Sequence, residues 1–387
     1  MRLTFAASAL ALLAACQPEA ATPAAPAQPA APAMQEIAFI ANAEAATVSL
    51  LDVATQTIVA TVDTNPDKVV VERPGTPNYA QDTDISPDGK TLYVSRGYMK
   101  DVAAFDIATG KQLWVTPVDA VRADHMTITP DGKFLFVSAL TEARVRKLDA
   151  STGHVTGEFV SGVYPHDNQV SADGRTVYNT SLGNMQTPLA QRDNVETPSE
   201  ASGYAYEFTT VDADTLEVKR RTRMPFGIRP WHFNPEGRAF YAQMSNFHAV
   251  AAFEYPSGKE LKRLDLPSKK DLTEADWDFE AIHHGLAITN DGKTLCLAGR
   301  ASDYVALVKA PELELIATIP VDDAPGWATL SLDDRFCFVP NTRADTLSII
   351  SLAEAKEVAR LPTGNGPKHV TVASIPVEVV TAASARD

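Results

Sequence analysis

Residues 86–111 read SPDGKTLYVSRGYMKDVAAFDIATGK, and residues 129–154 read TPDGKFLFVSALTEARVRKLDASTGH. Both follow one grammar: an Asp-Gly turn, a strand of alternating apolar residues, a second strand ending in Asp, and a Thr-Gly turn. Degraded copies begin at Ser171, Asn234, Thr289 and Ser331, and the turn residues Asp88, Asp131, Asp173, Glu236, Asp291 and Asp333 are spaced 43, 42, 63, 55 and 42 residues apart. A unit of about 40 residues cannot bury its own apolar face and must stack on neighbours. Ahead of the first turn, residues 37–62 match the later strands of the repeat but lack the leading one. Residues 368–374, KHVTVAS, form a leading strand with nothing after it. Joined, the two ends make a seventh copy. The expectation is an all-β, seven-bladed β-propeller closed by pairing of its N- and C-terminal strands, which leaves no exposed sheet edge.

The chain ends read differently. Arg2, an apolar run over residues 3–13 and Leu13-Ala14-Ala15-Cys16 make a segment too short to span a bilayer. It resembles a bacterial lipoprotein signal. That resemblance implies cleavage before Cys16, a lipid bilayer as partner through acylated Cys16, and a place on the periplasmic side of the outer membrane or at the cell surface. The expected organisation is a signal over residues 1–15, an Ala/Pro-rich tether over 16–34, the propeller over 35–377 and a flexible tail over 378–387. Cys296 and Cys337 fall one position out of phase when counted from their turns, so they are expected as two buried thiols rather than a disulfide. A formal charge of −15 excludes nucleic acid and anionic lipid surfaces as electrostatic partners.

Strand direction sorts the loops. The Asp-Gly and Thr-Gly turns share one end of the propeller and supply positive φ and Asx-type bonds, which are folding roles. The irregular connections share the other end, and both insertions, residues 182–203 and 266–281, lie there. Six of the eight histidines, His125, His166, His232, His283, His284 and His369, sit at or just before an innermost strand, and His248 lies in a loop of the same end. Imidazoles gathered without cysteine suit a transition metal such as Cu or Zn, so His125, His166, His232, His283 and His284 are candidate ligands. Asp124, Asp167 and Glu280 are candidates for orienting them. Direct substrate binding or proton transfer by the same imidazoles is the competing reading. Arg96, Tyr98, Arg122, Trp231, His248, Arg300, Trp327, Arg343 and His369 are expected to contact substrate, and His166, His284 and Arg229 to carry any catalysis. Basic residues at the mouth of an acidic protein suggest a small anionic ligand. No P-loop, dinucleotide fingerprint, Gly-x-Ser-x-Gly, haem-attachment or HExxH motif is present.

Residues 39–42, FIAN, residues 57–62, TIVATV, and residues 86–94, SPDGKTLYV, resemble the YVTN-type, YncE-like seven-bladed propellers. The resemblance covers residues 37–373 and implies the fold. Related propellers include oxidoreductase domains, lactonases, lyases and non-catalytic surface proteins, so it implies no single activity. Two functions stand open: a metal-dependent oxidoreductase or lyase/hydrolase, and a non-catalytic binding or envelope-protein scaffold.

Overall fold

The computed structural model describes residues 32–72, 76–183, 206–245, 247–269, 272 and 281–386. The signal, Cys16, most of the tether and most of both insertions lie outside these residues. Within them, seven four-stranded antiparallel sheets form the blades of a propeller. Blade 1 is the composite one: Pro367–Pro376 is its innermost strand and pairs with Met34–Asn42, which pairs in turn with Thr47–Asp52 and Thr57–Asp63. The register sets Phe39 opposite Thr371 and Ile40 opposite Val370, so the chain ends close the ring as the two half-copies predict. Blades 2 to 7 follow in sequence order.

Alternation along each strand builds the core between blades rather than inside them. On Thr91–Arg96 of blade 2, Leu92 and Val94 pack with Phe39 and Leu50 of blade 1. Tyr93 points the other way and joins Leu135 and Val137 of blade 3. The turns lock each hairpin end. Ser86 Oγ donates to Asp88 Oδ1 at 2.6 Å and accepts from the Thr91 N–H at 2.9 Å, while Gly89 adopts a φ of +69°. A Cβ on Gly89 would lie 2.7 Å from Pro376 Cδ, so this turn needs glycine for its conformation and for its approach to blade 1.

Two expectations are corrected. Cys296 and Cys337 form a disulfide, with Cα atoms 6.6 Å apart. Their opposite phase is the condition for it: adjacent blades present opposite faces to each other, and both cysteines enter the single core between blades 6 and 7. The tail is also ordered. Val377–Ser384 is an α-helix whose Val379, Val380 and Ala383 are buried in the core shared by blades 1 and 2. These positions form a helical stripe, which a search for strand alternation passes over. Beyond it, Arg386 donates to the Ile107 carbonyl at 3.1 Å.

Candidate metal centre

Each innermost strand starts at the irregular end of the propeller and runs toward the Asp-Gly turns. At that start the ladders of blades 3 and 4 are irregular: register shifts between Ala123 and Met126, and between Pro165 and Asn168. His125 and His166 sit inside these bulges, and His284 lies just ahead of Leu286–Ile288 in blade 6. A bulge re-aims side chains, and these three imidazoles converge on the axis. Their ligating atoms all lie within 4.8 Å of one another. Ring centroids are 4.6 Å apart for His125–His166, 5.6 Å for His166–His284 and 6.3 Å for His125–His284. All three side chains are buried.

The surrounding groups fix the imidazole tautomers. His284 Nδ1 lies 2.8 Å from the Gly326 carbonyl, which can only accept, so Nε2 is left with its lone pair. His125 Nδ1 faces Asp82 Oδ2 at 3.3 Å, which leaves the lone pair on Nε2, an atom that lies 3.5 Å from the Gln81 amide nitrogen. His166 Nδ1 is buried with no hydrogen-bond partner among the described residues. An orphaned buried nitrogen beside two oriented imidazoles fits a bound ion, because metal-ligating histidines hold their second nitrogen on a carboxylate or carbonyl. From separations of up to 4.8 Å, the three nitrogens would close by as much as about 1.5 Å to reach the roughly 3.3 Å spacing of ligands held at ~2.0–2.1 Å around Zn. Burial, followed by neighbouring positive charge, holds His166 and His284 well below the ordinary histidine range, so both stay neutral and able to ligate. For His125 burial acts the same way, but Asp82, together with Asp124 and Asp167, outweighs it and raises the ring.

Asp82 is the residue that sequence reasoning missed. One of its carboxylate oxygens receives the Met126 N–H at 2.8 Å and faces His125; the other lies 2.9 Å from His369 Nδ1. Burial would raise this carboxyl, yet His369 and His125 hold it below the usual range, and it stays ionised. Asp82, His125 and His369 form a second close group that shares His125 with the first. The signal was available, since Asp82 lies six residues before Asp88 and His125 lies six before Asp131. Trp327 of blade 7 covers both groups, stacking on His125 at 4.8 Å and lying 4.3 Å from His369 and 5.5 Å from His284. Gly285 permits this closeness, because a Cβ there would meet the Trp327 backbone at 2.5 Å.

Further along the axis a cavity of about 320 Å³ takes lining residues from all seven blades, among them Asp82, Asp84, Asp167, His232, Trp327 and His369. Burial pushes Asp84 up to about 7, opposed by the Ile128 and Ile85 N–H groups. Burial also takes Asp167 up to about 7 against the pull of His125. It drives His232 down to about 4. His232 therefore faces the channel but stands apart from the three-histidine group. His283 turns away from the axis and packs against His248 and Tyr304.

The remaining candidates divide. Trp231 is fully buried in an aromatic core with Phe208, Phe233 and Tyr178 and does not line the mouth. Arg96 is paired with Asp101 at 2.6 and 2.8 Å, and Arg122 with Asp124 at 3.0 Å. Arg343 is exposed beside Asp323 at 3.7 Å. Arg300 donates to the Ala324 carbonyl at 3.3 Å and to Thr342 Oγ1 at 3.1 Å. Arg229 is buried, donates to Ser245 Oγ at 3.0 Å and lies close enough to depress His166 and His284. Tyr98, partly buried, acts with Asp124 to raise Arg122 against the effect of burial. Of the residues expected to orient the histidines, Asp124 engages Arg122 and Gln81 instead. Asp167 lines the cavity, and Glu280 lies outside the described residues.

A family model described as "Lactonase, 7-bladed beta-propeller" matches residues 31–161, about a third of the chain. Among solved structures, the periplasmic gluconolactonase of Pseudomonas aeruginosa superposes with a TM-score of 0.63 at 15% identity, covering 88% of this chain and 100% of that one. The hydrazine synthase of Kuenenia stuttgartiensis gives 0.61 at 18% identity, covering 81% and 92%. At such identities the likeness is one of fold. No curated protein matches the sequence.

Proposed function

We propose that this chain is an extracytoplasmic transition-metal-binding propeller in which His125, His166 and His284 hold one ion, Zn or Cu by the chemistry of an all-imidazole set. The observation that carries the reading is the nitrogen geometry: two imidazoles oriented by an Asp and a carbonyl, and a third with an unpartnered buried nitrogen, all within 4.8 Å. Asp82 and the Gly326 carbonyl orient the ligands, Trp327 keeps bulk water off the rings, and Arg229 helps hold His166 and His284 in the neutral form. Metal analysis of the purified protein tests it. Near-stoichiometric Zn or Cu, lost in His166→Ala/His284→Ala, is the expected result; no retained metal in the wild type would refute it.

A second reading is metal-assisted hydrolysis of a small cyclic ester. It draws on the partial lactonase match, on the gluconolactonase likeness and on the axial cavity beside Trp327 and His369. A bound ion would supply Lewis acidity and an activated water. Arg229 would then steady developing negative charge beside His166 and His284. Ring opening of glucono-δ-lactone, followed by acid release at constant pH, distinguishes the readings: metal-dependent turnover favours hydrolysis, and its absence leaves metal holding as the function. The predominantly paired arginines at the mouth favour a neutral ligand over the anionic one expected from charge alone. We further infer YVTN-type ancestry from the repeat grammar, and a lipid anchor at Cys16. Release of Cys16→Ser from the membrane fraction would support the anchor, and unchanged retention would count against it.

A further inference from the structure

His283 and His284 are neighbours in sequence and face opposite ways. His284 points to the axis. His283, 0% exposed, packs beneath the loop that carries His248, with the two rings 5.5 Å apart and nearly perpendicular. Tyr304 fixes the tautomer of His283. Its hydroxyl donates to the Pro267 carbonyl at 2.7 Å, so toward His283 Nε2, 3.3 Å away, the same oxygen can only accept. Nε2 therefore carries the proton, and Nδ1 presents a bare lone pair. That atom is buried and has no partner among the described residues. Nδ1 of the partly buried His248 is likewise shielded and without a partner among the described residues. Leaving a buried polar nitrogen unsatisfied carries its full desolvation cost. Two within a single ring contact are unexplained by packing alone.

We propose that His248 and His283 form a second transition-metal site, distinct from the axial one and reached from solvent past His248, with water completing the coordination. Two nitrogen ligands and open positions suit Zn(II), Cu(II) or Ni(II). The inference does not rest on the axial site, because it shares no ligand with it.

Calorimetric titration of the chelator-stripped full chain with Zn(II), combined with elemental analysis, tests the pair. Two ions are expected in the wild type, the second weaker. His248→Ala, at a partly buried loop position, should weaken the second ion at least tenfold and leave the first. Tyr304→Phe, which frees the tautomer, should weaken the second ion while the first is unaffected. His166→Ala/His284→Ala should retain the second ion after losing the first. A single wild-type ion indifferent to His248→Ala, or a second ion bound equally well by that variant, would overturn the proposal. A single ion lost in His248→Ala would instead support the pair and refute the axial site.

Discussion

Asp82 sets two imidazoles with one carboxylate, and that arrangement has consequences at the residue scale. Asp82→Asn keeps the shape but replaces one accepting oxygen with a donor and removes the carboxylate charge, so the site loses the anion shared by His125 and His369. Metal affinity should fall about 10–100-fold, as it does when partners behind metal ligands are removed. Competition with a chromophoric chelator would measure it, and an unchanged affinity would remove Asp82 from the site. Protonation gives a second prediction. His166, His284, His232, His283, His248 and His369 are all lowered by burial, so the unfolded chain binds their protons first. Each contributes stability that is lost as pH falls below the unfolded value of ~6.5. Asp84 and Asp167, raised to about 7, and the raised His125 act in the opposite sense, but they are fewer. The melting temperature of the metal-free protein should therefore drop between pH 7 and pH 4.5. A flat or rising profile would contradict this balance.

Elements carry the next set of consequences. The Cys296–Cys337 disulfide ties blade 6, which bears His284, to blade 7, which bears Trp327. Cys296→Ala/Cys337→Ala should cost about 2–4 kcal/mol, the usual range for a removed crosslink, and denaturant unfolding would show it. A variant as stable as the wild type would make the bond incidental. The C-terminal helix is a second clasp. Truncation after Pro376 removes Val379, Val380 and Ala383 from the core of blades 1 and 2, and should destabilise the closure by roughly the 2–5 kcal/mol of a large buried truncation. Thermal melts of the shortened chain would check it. Both clasps escaped the sequence for physical reasons. Strand phase was counted within one blade, although contact occurs between opposite faces of two blades. The helix is eight residues long, and its stripe of three apolar positions is shorter than any repeat signal.

For the whole molecule, circular stacking does what no local segment can. It draws Asp82, His125, His166, His284, Trp327 and His369 from blades 2, 3, 4, 6, 7 and 1 to one end of the axis. The blade count was legible because six blades repeat related turn chemistry, as at Ser86-Pro87-Asp88-Gly89 and Thr129-Pro130-Asp131-Gly132, and the two half-copies at the chain ends supply the seventh. The composition of the site was less so. Counting back in twos from the turn puts His232, four before Glu236, and His125, six before Asp131, on one parity and His166 and His284, each seven before its turn residue, on the other, but the count crosses a bulge before it reaches His125 or His166. The bulges rotate those side chains inward, while His232 stays lower in the channel. Anomalous diffraction at the Zn edge from crystals of the metal-loaded protein is the most direct test of the axial site. The account predicts a peak at about 2.0–2.1 Å from one nitrogen each of His125, His166 and His284. A loaded crystal with no density between those three imidazoles would contradict it.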